Sequence, residues 1–328
     1  MSMITMRVSS IGEILVDIIP KRSGEYTENM EFEAHLGGAP FNYAVAMARL
    51  GAIPYGMGAV GSDFFGKMLV GVLKDNNVRT ECLKVKNART SLAFIILNED
   101  GERTFFFYRA PWVNTADSMY SVEDLREDVI MSSEVLYVSG MALSAGPLRD
   151  AVLEAMRIGR EADVTVIFDY NVRPDVWFSL EEMKKLYDYA IGDASVISLS
   201  IDEVETLYGI SDPIKAMKYL LRMYAGKDIL LKLGKEGCIV HSDERTLLVR
   251  AYKVKAIDTT GAGDAWIAAF SYYHYLLEED LEESSIMANA LGAITVTKRG
   301  AISAFSSRKD LEEFVSNNET PEIIYINI

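Results

Sequence analysis

The segment Asp258-Thr-Thr-Gly-Ala-Gly-Asp264-Ala-Trp266 decides how the rest of this sequence is read. Before it, Leu247 to Ile257 alternates loosely between apolar and polar side chains and is expected to end as a strand. After it, Ala265 to Leu277 is apolar at nearly every turn and contains neither Gly nor Pro, as a buried helix requires. Gly261-Ala262-Gly263 therefore falls where a strand gives way to a helix. Glycine there permits tight or left-handed backbone and close approach of a ligand. The first-turn N–H groups of the helix lack intrahelical acceptors, and the helix dipole adds positive charge, so this end favours a phosphate or a developing oxyanion.

Asp264 sharpens that reading. A carboxylate beside an anion site repels the anion unless it has a task of its own. Accepting a proton from a substrate hydroxyl, as its oxygen attacks a phosphoryl group, is such a task. Taken alone, a helix cap behind a glycine turn explains a Gly-x-Gly-Asp segment better. The rest of the chain shifts the balance toward chemistry.

Working outward, Val8 to Ile19 reads as an opening strand and Lys21 to Glu33 as a polar, exposed excursion. Leu36-Gly37-Gly38-Ala39-Pro40 turns into a helix over Phe41 to Leu50, closed by Gly51. A strand over Ile53 to Val60 and a helix ending near Asn76 follow. Ser91 to Leu97 and Arg103 to Tyr108 form a hairpin about a turn at Asn98 to Glu102. Phe105-Phe106-Phe107-Tyr108 gives that hairpin apolar groups on both faces, so it covers a ligand, the body of the protein or a second subunit. Strands are then expected at Val135 to Val138, Val164 to Tyr170, Val196 to Leu199, Ile229 to Leu233 and Cys238 to His241, with helices such as Ala145 to Ala162 and Leu180 to Ile191 between them. This alternation implies a mostly parallel sheet with helices on both faces.

Polar groups gather where such a fold binds ligands, past the carboxyl ends of its strands. They are Gly140, Asp169-Tyr-Asn171-Val-Arg173, Ser200-Ile-Asp-Glu203, Gly234-Lys-Glu-Gly237 and Asp258 to Asp264. Arg173 matches the geometry of a phosphoryl group, although an internal Asp169–Arg173 ion pair explains it equally well. Glu203 suits magnesium through water, but Ser200 followed by Glu203 also fits a capping box, and the local pattern favours the cap. Gly37-Gly38 with Asn42, and Asp17 on the first strand, suit the hydroxyls of a polyol.

Composition bounds the alternatives. The chain has 328 residues, enough for one large α/β domain or two smaller ones, and its 49% hydrophobic content is that of a globular protein. A formal charge of −15 argues against general nucleic-acid or anionic-membrane binding. No apolar run approaches the roughly 20 residues of a membrane span. Met1 to Arg7 lacks the marks of a signal peptide, so a cytoplasmic protein is expected. Cys82 and Cys238 are isolated, and His35, His241 and His274 show no ligand spacing, which speaks against a disulfide framework or structural zinc.

From about Val8 to Ser303 the sequence resembles the ribokinase-like, phosphofructokinase B-type carbohydrate kinases. Gly37-Gly38-x-Pro40-x-Asn42 and Asp258-Thr-Thr-Gly-Ala-Gly-Asp264 are the two family signatures. The resemblance implies a three-layer α/β/α sandwich over residues 1–328, with a mostly parallel central sheet. A small β-sheet lid would be inserted at roughly 20–36 and 88–110. It implies transfer of a phosphoryl group from ATP, with Mg2+, to a sugar hydroxyl. Asp264 would be the base, Gly261, Ala262 and Gly263 the anion hole, and Arg173 a charge stabiliser. Asp17, Gly37, Gly38, Asn42, Arg109, Asp169 and Asn171 would hold the sugar. Lys232, Gly234, Gly237, Asn289 and Ala293 would lie near the nucleotide. Ser200 replaces the Asn of the family's Asn-x-x-Glu motif, while Glu203 is kept for the magnesium region. Asp258 and Thr260 match a loop that in many members binds a monovalent cation such as K+, although Ala304 stands where a Ser often contributes. Gly12-Glu13, Phe107-Tyr108-Arg109-x-Pro111, Ala116-Asp117 and the Asp169 loop are similar to bacterial fructokinases, so fructose is the expected substrate. The 2-keto-3-deoxygluconate kinases, whose acidic substrate would want Arg109, are the alternative, and a sensor that has lost catalysis is a second. The aromatic hairpin suggests a homodimer formed through the lid.

Overall fold

The computed structural model describes residues 6–97 and 103–327. The chain opens with β1 (Arg7–Ile11), β2 (Leu15–Pro20) and β3 (Phe32–Gly37), followed by α1 (Ala39–Leu50), β4 (Ile53–Gly61) and α2 (Phe64–Asp75). Next come β5 (Leu83–Lys86), β6 (Ser91–Leu97) and β7 (Arg103–Tyr108), then α3 (Glu127–Met131), β8 (Val135–Ser139) and α4 (Gly146–Glu161). The middle continues through β9 (Thr165–Asp169), α5 (Leu180–Ile191), β10 (Val196–Ser200), α6 (Ile201–Tyr208) and α7 (Pro213–Met223) to β11 (Asp228–Lys232). It ends with β12 (Cys238–Ser242), β13 (Arg245–Val249), α8 (Ala262–Phe270), α9 (Leu281–Val296), α10 (Arg308–Asn317) and β14 (Ile323–Tyr325).

Ten strands form the main sheet in the order β14-β13-β12-β11-β10-β9-β8-β1-β4-β5. From β11 to β5 every pairing is parallel, and β12, β13 and β14 add an antiparallel margin. Strand side chains alternate between two cores, as period-two geometry demands. On β8, Val135 and Tyr137 join α1, α8 and α9 in one core, and Leu136 and Val138 join α4, α5 and α7 in the other. Helices thus cover both faces of a sheet that is apolar on both, the fold class the alternating pattern implied. Among the described residues no helix is long and apolar enough to cross a membrane.

The order of strands reverses beside β1. The chain leaves β1 for β4 and β5 on one side, then returns to build β8 through β11 on the other. A crevice opens outside the carboxyl ends at such a switch point. Over it sits a second sheet, β3-β2-β6-β7. Along β7, Phe105 and Phe107 face the crevice. Phe106 and Tyr108 turn outward to Phe94, with the Phe94 and Phe106 rings stacked at 5.0 Å.

Two strand expectations change. The single strand expected over Val8 to Ile19 is two strands in different sheets, interrupted at Gly12-Glu13-Ile14, so Asp17 lies within the lid sheet. The strand expected to reach Ile257 stops at Val249, and residues 250–258 run on without strand pairing. The turn expected at Asn98 to Glu102 lies outside the described residues.

Candidate active site

Gly261 caps α8 with left-handed backbone (φ 73°), and Ala262, Gly263 and Asp264 are the first three residues of the helix. The Ala262 N–H donates to the Thr259 carbonyl (3.2 Å), and the N–H groups of Gly263 and Asp264 are among those an α-helix leaves without internal acceptors, an end that suits an anion. Asp264 is half-buried, and Asn42, on α1, donates to its Oδ2 at 2.8 Å. The two signatures of the sequence, 222 residues apart, thus meet in one hydrogen bond. Asn42 was expected to face sugar hydroxyls, but its amide also orients the carboxylate. Burial, joined by the Asp169 charge, pushes the Asp264 pKa up to about 7 against the Asn42 bond, Lys232 and Arg173.

These groups border a crevice of about 480 Å³. Asp17, Gly38, Asn42 and Asn171 line one part of it, and Asp169, Arg173, Glu203, Lys232, Gly234 and Thr260 also border it. Gly38 sits at φ 104°, and a Cβ there would lie 2.3 Å from the Glu13 carbonyl oxygen. Gly37 yields the space that the Asp17 carboxylate fills, since its Cβ would lie 2.5 Å from Asp17 Cγ. Asp169 pairs with Lys232 Nζ (2.9 Å) and accepts the Tyr137 hydroxyl (2.8 Å). The alternative Asp169–Arg173 pair is not the one formed. Arg173 lies instead 5.4 Å from the centre of the Phe105 ring and donates to the Val172 carbonyl. Burial works against the Lys232 charge, but Asp169 and Glu203 outweigh it and raise the pKa, so the ammonium persists.

Glu203 is fully engaged. Its Oε1 accepts the Val172 N–H (2.8 Å), its Oε2 accepts the Ser200 N–H (2.7 Å), and Ser200 Oγ returns the capping bond. The capping-box reading therefore describes Ser200, while Glu203 borders the crevice. Among the described residues no group of three or more acidic, His or Cys side chains could hold a metal.

Beyond the helix terminus lies a second, mainly apolar cavity of about 260 Å³. It shares Lys232, Gly234, Gly263 and Thr259 with the crevice, so the start of α8 stands between the two spaces. Gly237, Asn289, Ala293, Trp266, Tyr252 and Val254 line it. Asn289 braces its wall, since its amide donates to the Val249 and Arg250 carbonyls and accepts from Trp266 Nε1. Asp258 ties two loops together by accepting the Thr260 and Gly300 N–H groups (2.8 and 3.0 Å).

Arg109 corrects the sequence expectation. It is fully buried, outside the crevice lining, with Nε on Asp117 (2.6 Å) and Nη1 on Ser144 (2.6 Å). A guanidinium so placed is shut away from the crevice, although its Nη2 has no hydrogen-bond partner among the described residues. Glu13, in contrast, went unremarked as a site residue and lines the crevice. A lone acid inside an apolar run, followed by a strand break, was the signal for it. Nothing in the spacing announced Tyr137.

Residues 5–308 match the model of the pfkB family carbohydrate kinases. Probable fructokinase-4 of Arabidopsis thaliana is 37% identical over 95% of this chain and 97% of its own length. Fructokinase-2 of Solanum lycopersicum is also 37% identical, over 92% and 94%. Among solved structures, a fructokinase from Vibrio cholerae O395 with fructose, ADP and calcium superposes with a TM-score of 0.83 at 29% identity, covering 95% of this chain and 99% of that one. A fructokinase with bound ATP from Xylella fastidiosa gives 0.84 at 26%, with the same coverage. The chain belongs to the pfkB family of carbohydrate kinases, ribokinase-like α/β enzymes that transfer a phosphoryl group to an alcohol.

Proposed function

We propose that this protein is an ATP-dependent fructokinase that converts D-fructose to fructose 6-phosphate, with Asp264 as the general base. The observation that carries the reading is a half-buried carboxylate at a helix N-terminus, held by Asn42, between a polar crevice and an apolar cavity. The crevice suits a sugar. The apolar cavity suits a nucleotide base, and the N–H groups between them suit the phosphate in transfer.

In this mechanism Asp17, Gly38 and Asn171 hold the sugar and leave one hydroxyl against Asp264. Asp264 takes that proton as the oxygen attacks the γ-phosphorus, and ADP leaves with the electrons of the broken P–O bond. The backbone N–H groups of Gly261, Ala262 and Gly263 receive charge that builds in the transition state, with Arg173 and Lys232 as cationic support. Phe105 and Phe107 shield the crevice from water. Mg2+ fits as an ion that enters with the nucleotide, because both Glu203 oxygens are occupied and only its charge, through water, is available to a metal. With the nucleotide bound, such an ion would neutralise phosphate charge, with Glu203 as the nearby carboxylate. A monovalent cation such as K+ fits the 258–260 loop, where Thr260 Oγ1 is buried without a partner among the described residues. Backbone carbonyls and that hydroxyl, rather than Asp258, would hold it. The lid's outer aromatic face further supports a homodimer.

The acidic-sugar alternative relied on Arg109, which is occupied by Asp117. Assay of ADP release with MgATP and either D-fructose or 2-keto-3-deoxygluconate tests the reading. Fructose is expected to be the better substrate by kcat/KM, and preference for the keto acid would overturn the choice of sugar.

A further inference from the structure

β7 is the outer strand of the smaller sheet, so the edge it turns away from β6 has no strand partner. The loop after β9 fastens to that edge. Asp175 Oδ2 accepts the Phe107 N–H (3.0 Å), and the Asp175 carbonyl accepts Trp112 Nε1 (2.7 Å) beyond the end of β7. A carboxylate on a backbone N–H makes a charge-assisted bond, stronger than one between neutral groups. Arg173, in the same loop, borders the crevice. Its guanidinium donates to the Val172 carbonyl and lies 5.4 Å from the centre of the Phe105 ring, which belongs to β7 as well. Pro174, whose ring limits φ, opens a 3₁₀ turn over Pro174–Val176 that stiffens the link from Arg173 to Asp175. At the other end of the loop, the Val172 N–H is tied to Glu203 beside the main sheet (2.8 Å). One short segment thus joins the two sheets across the crevice. The mechanism above gives Asp175 no part.

We propose that Asp175 is a positioning residue: by fastening β7 to the loop after β9, it sets the Arg173 guanidinium against the phosphoryl group in transfer. The inference rests on the sugar-kinase reading and deepens it. Asp175 is exposed and does not line the crevice, so it reaches the reacting atoms only through its neighbours. A long, rotatable side chain held by a ring face and a carbonyl of its own loop takes its place from where that ring stands. The Phe105 ring stands where β7 stands, and the two Asp175 bonds hold β7 to the loop that carries Arg173. Loop and strand are therefore set as one unit.

The test is a double-mutant cycle. Wild type, Asp175→Ala, Asp175→Asn, Arg173→Ala and Arg173→Ala/Asp175→Ala are compared by kcat and by KM for D-fructose and MgATP, with Tm as a check of folding. Asp175→Ala should lower kcat about 10–100-fold, the scale of a small misplacement of a catalytic group, with KM for MgATP unchanged. Asp175→Asn keeps an oxygen for the Phe107 N–H and should recover most of that loss. With Arg173 already removed, Asp175→Ala should cost less than about twofold more, because the group it positions is gone. Equal losses in the two backgrounds would make Asp175 a structural tether independent of Arg173 and overturn the proposal, as would a wild-type kcat in folded Asp175→Ala. If Asp175→Ala fails to fold, Trp112→Phe, which removes the bond to the Asp175 carbonyl, enters the same cycle. A smaller fall in kcat that vanishes beside Arg173→Ala is then expected, and additive losses overturn the proposal. Arg173→Ala with wild-type kcat would remove Arg173 from the mechanism and the proposal with it, while sparing the kinase reading. Wild type that prefers another sugar sinks the fructose reading alone, and the cycle is then run on that sugar. A protein that phosphorylates no sugar sinks both readings.

Discussion

Burial sets the two requirements on Asp264 against each other. The carboxyl must lose its proton to act as a base, yet its surroundings favour the protonated form and push the pKa up to about 7. Activity should therefore rise with pH through about 7, seen as an acidic limb in kcat/KM for the sugar. Stability moves the other way. With a folded pKa above the ordinary 3.8, the native state holds more protons than the unfolded one between about pH 4 and 7, so this group's contribution to stability falls as pH rises across that window. Asp264→Asn should accordingly melt higher than wild type at pH 8, with the gain shrinking toward pH 4. A pH-independent Tm difference would contradict the shift. Arg109 and Asp117 form the other decisive pair, both fully buried. Asp117→Ala leaves the guanidinium uncompensated and should cost about 3–5 kcal/mol in denaturant unfolding. A loss well under 1 kcal/mol would mean that water reaches the pair. Asp264 was legible in the sequence because glycine, helix start and acid lie within a few residues of one another. Arg109 was misassigned because its partner is chosen by burial, which spacing does not encode.

At the scale of elements, the alternating pattern located most helices and strands, and its failures have a common cause. Alternation reports that one side of an extended chain is covered, not what covers it. Past Val249 the covering object is a cavity: Ala251, Tyr252, Val254 and Ala256 line the apolar space beside α8 while the chain leaves the sheet. Near the N-terminus, both β1 and β2 are buried, so the hydrophobic run continued through a break that only Gly12 and Glu13 marked. The start of α6 was legible locally, because a cap depends on neighbours three residues apart. Ser200→Ala should cost about 1 kcal/mol of stability and leave turnover and magnesium dependence unaltered. Altered magnesium dependence in that variant would show that the cap reading omits a metal role.

Across the whole molecule, the main sheet gathers most of the crevice residues and the smaller sheet adds Asp17, Phe105 and Phe107 to them. Strands of the switch point bring Glu13, Asp169 and Glu203 to one edge, and the loop into α8 brings Asp264 to meet them. That convergence was legible as a row of polar loops after successive strands, but the pairing of Asn42 with Asp264 was not, since it depends on how α1 and α8 pack. The lid's outer face carries Tyr108, Tyr26 and Phe32 at 52%, 37% and 37% exposure, grouped with Phe94 and Phe106. A second copy of the lid is the covering this face suits, and light scattering should give the mass of a dimer. A monomeric mass at assay concentration would remove the lid-to-lid pairing.

The measurement that bears most directly on the account is fructose-dependent ADP formation by Asp264→Asn beside wild type, at saturating MgATP and pH 8. Loss of the base predicts turnover lower by roughly 10²–10⁴-fold with the fructose KM little changed. Turnover close to wild type would contradict the assignment of Asp264 as the group that takes the sugar's proton.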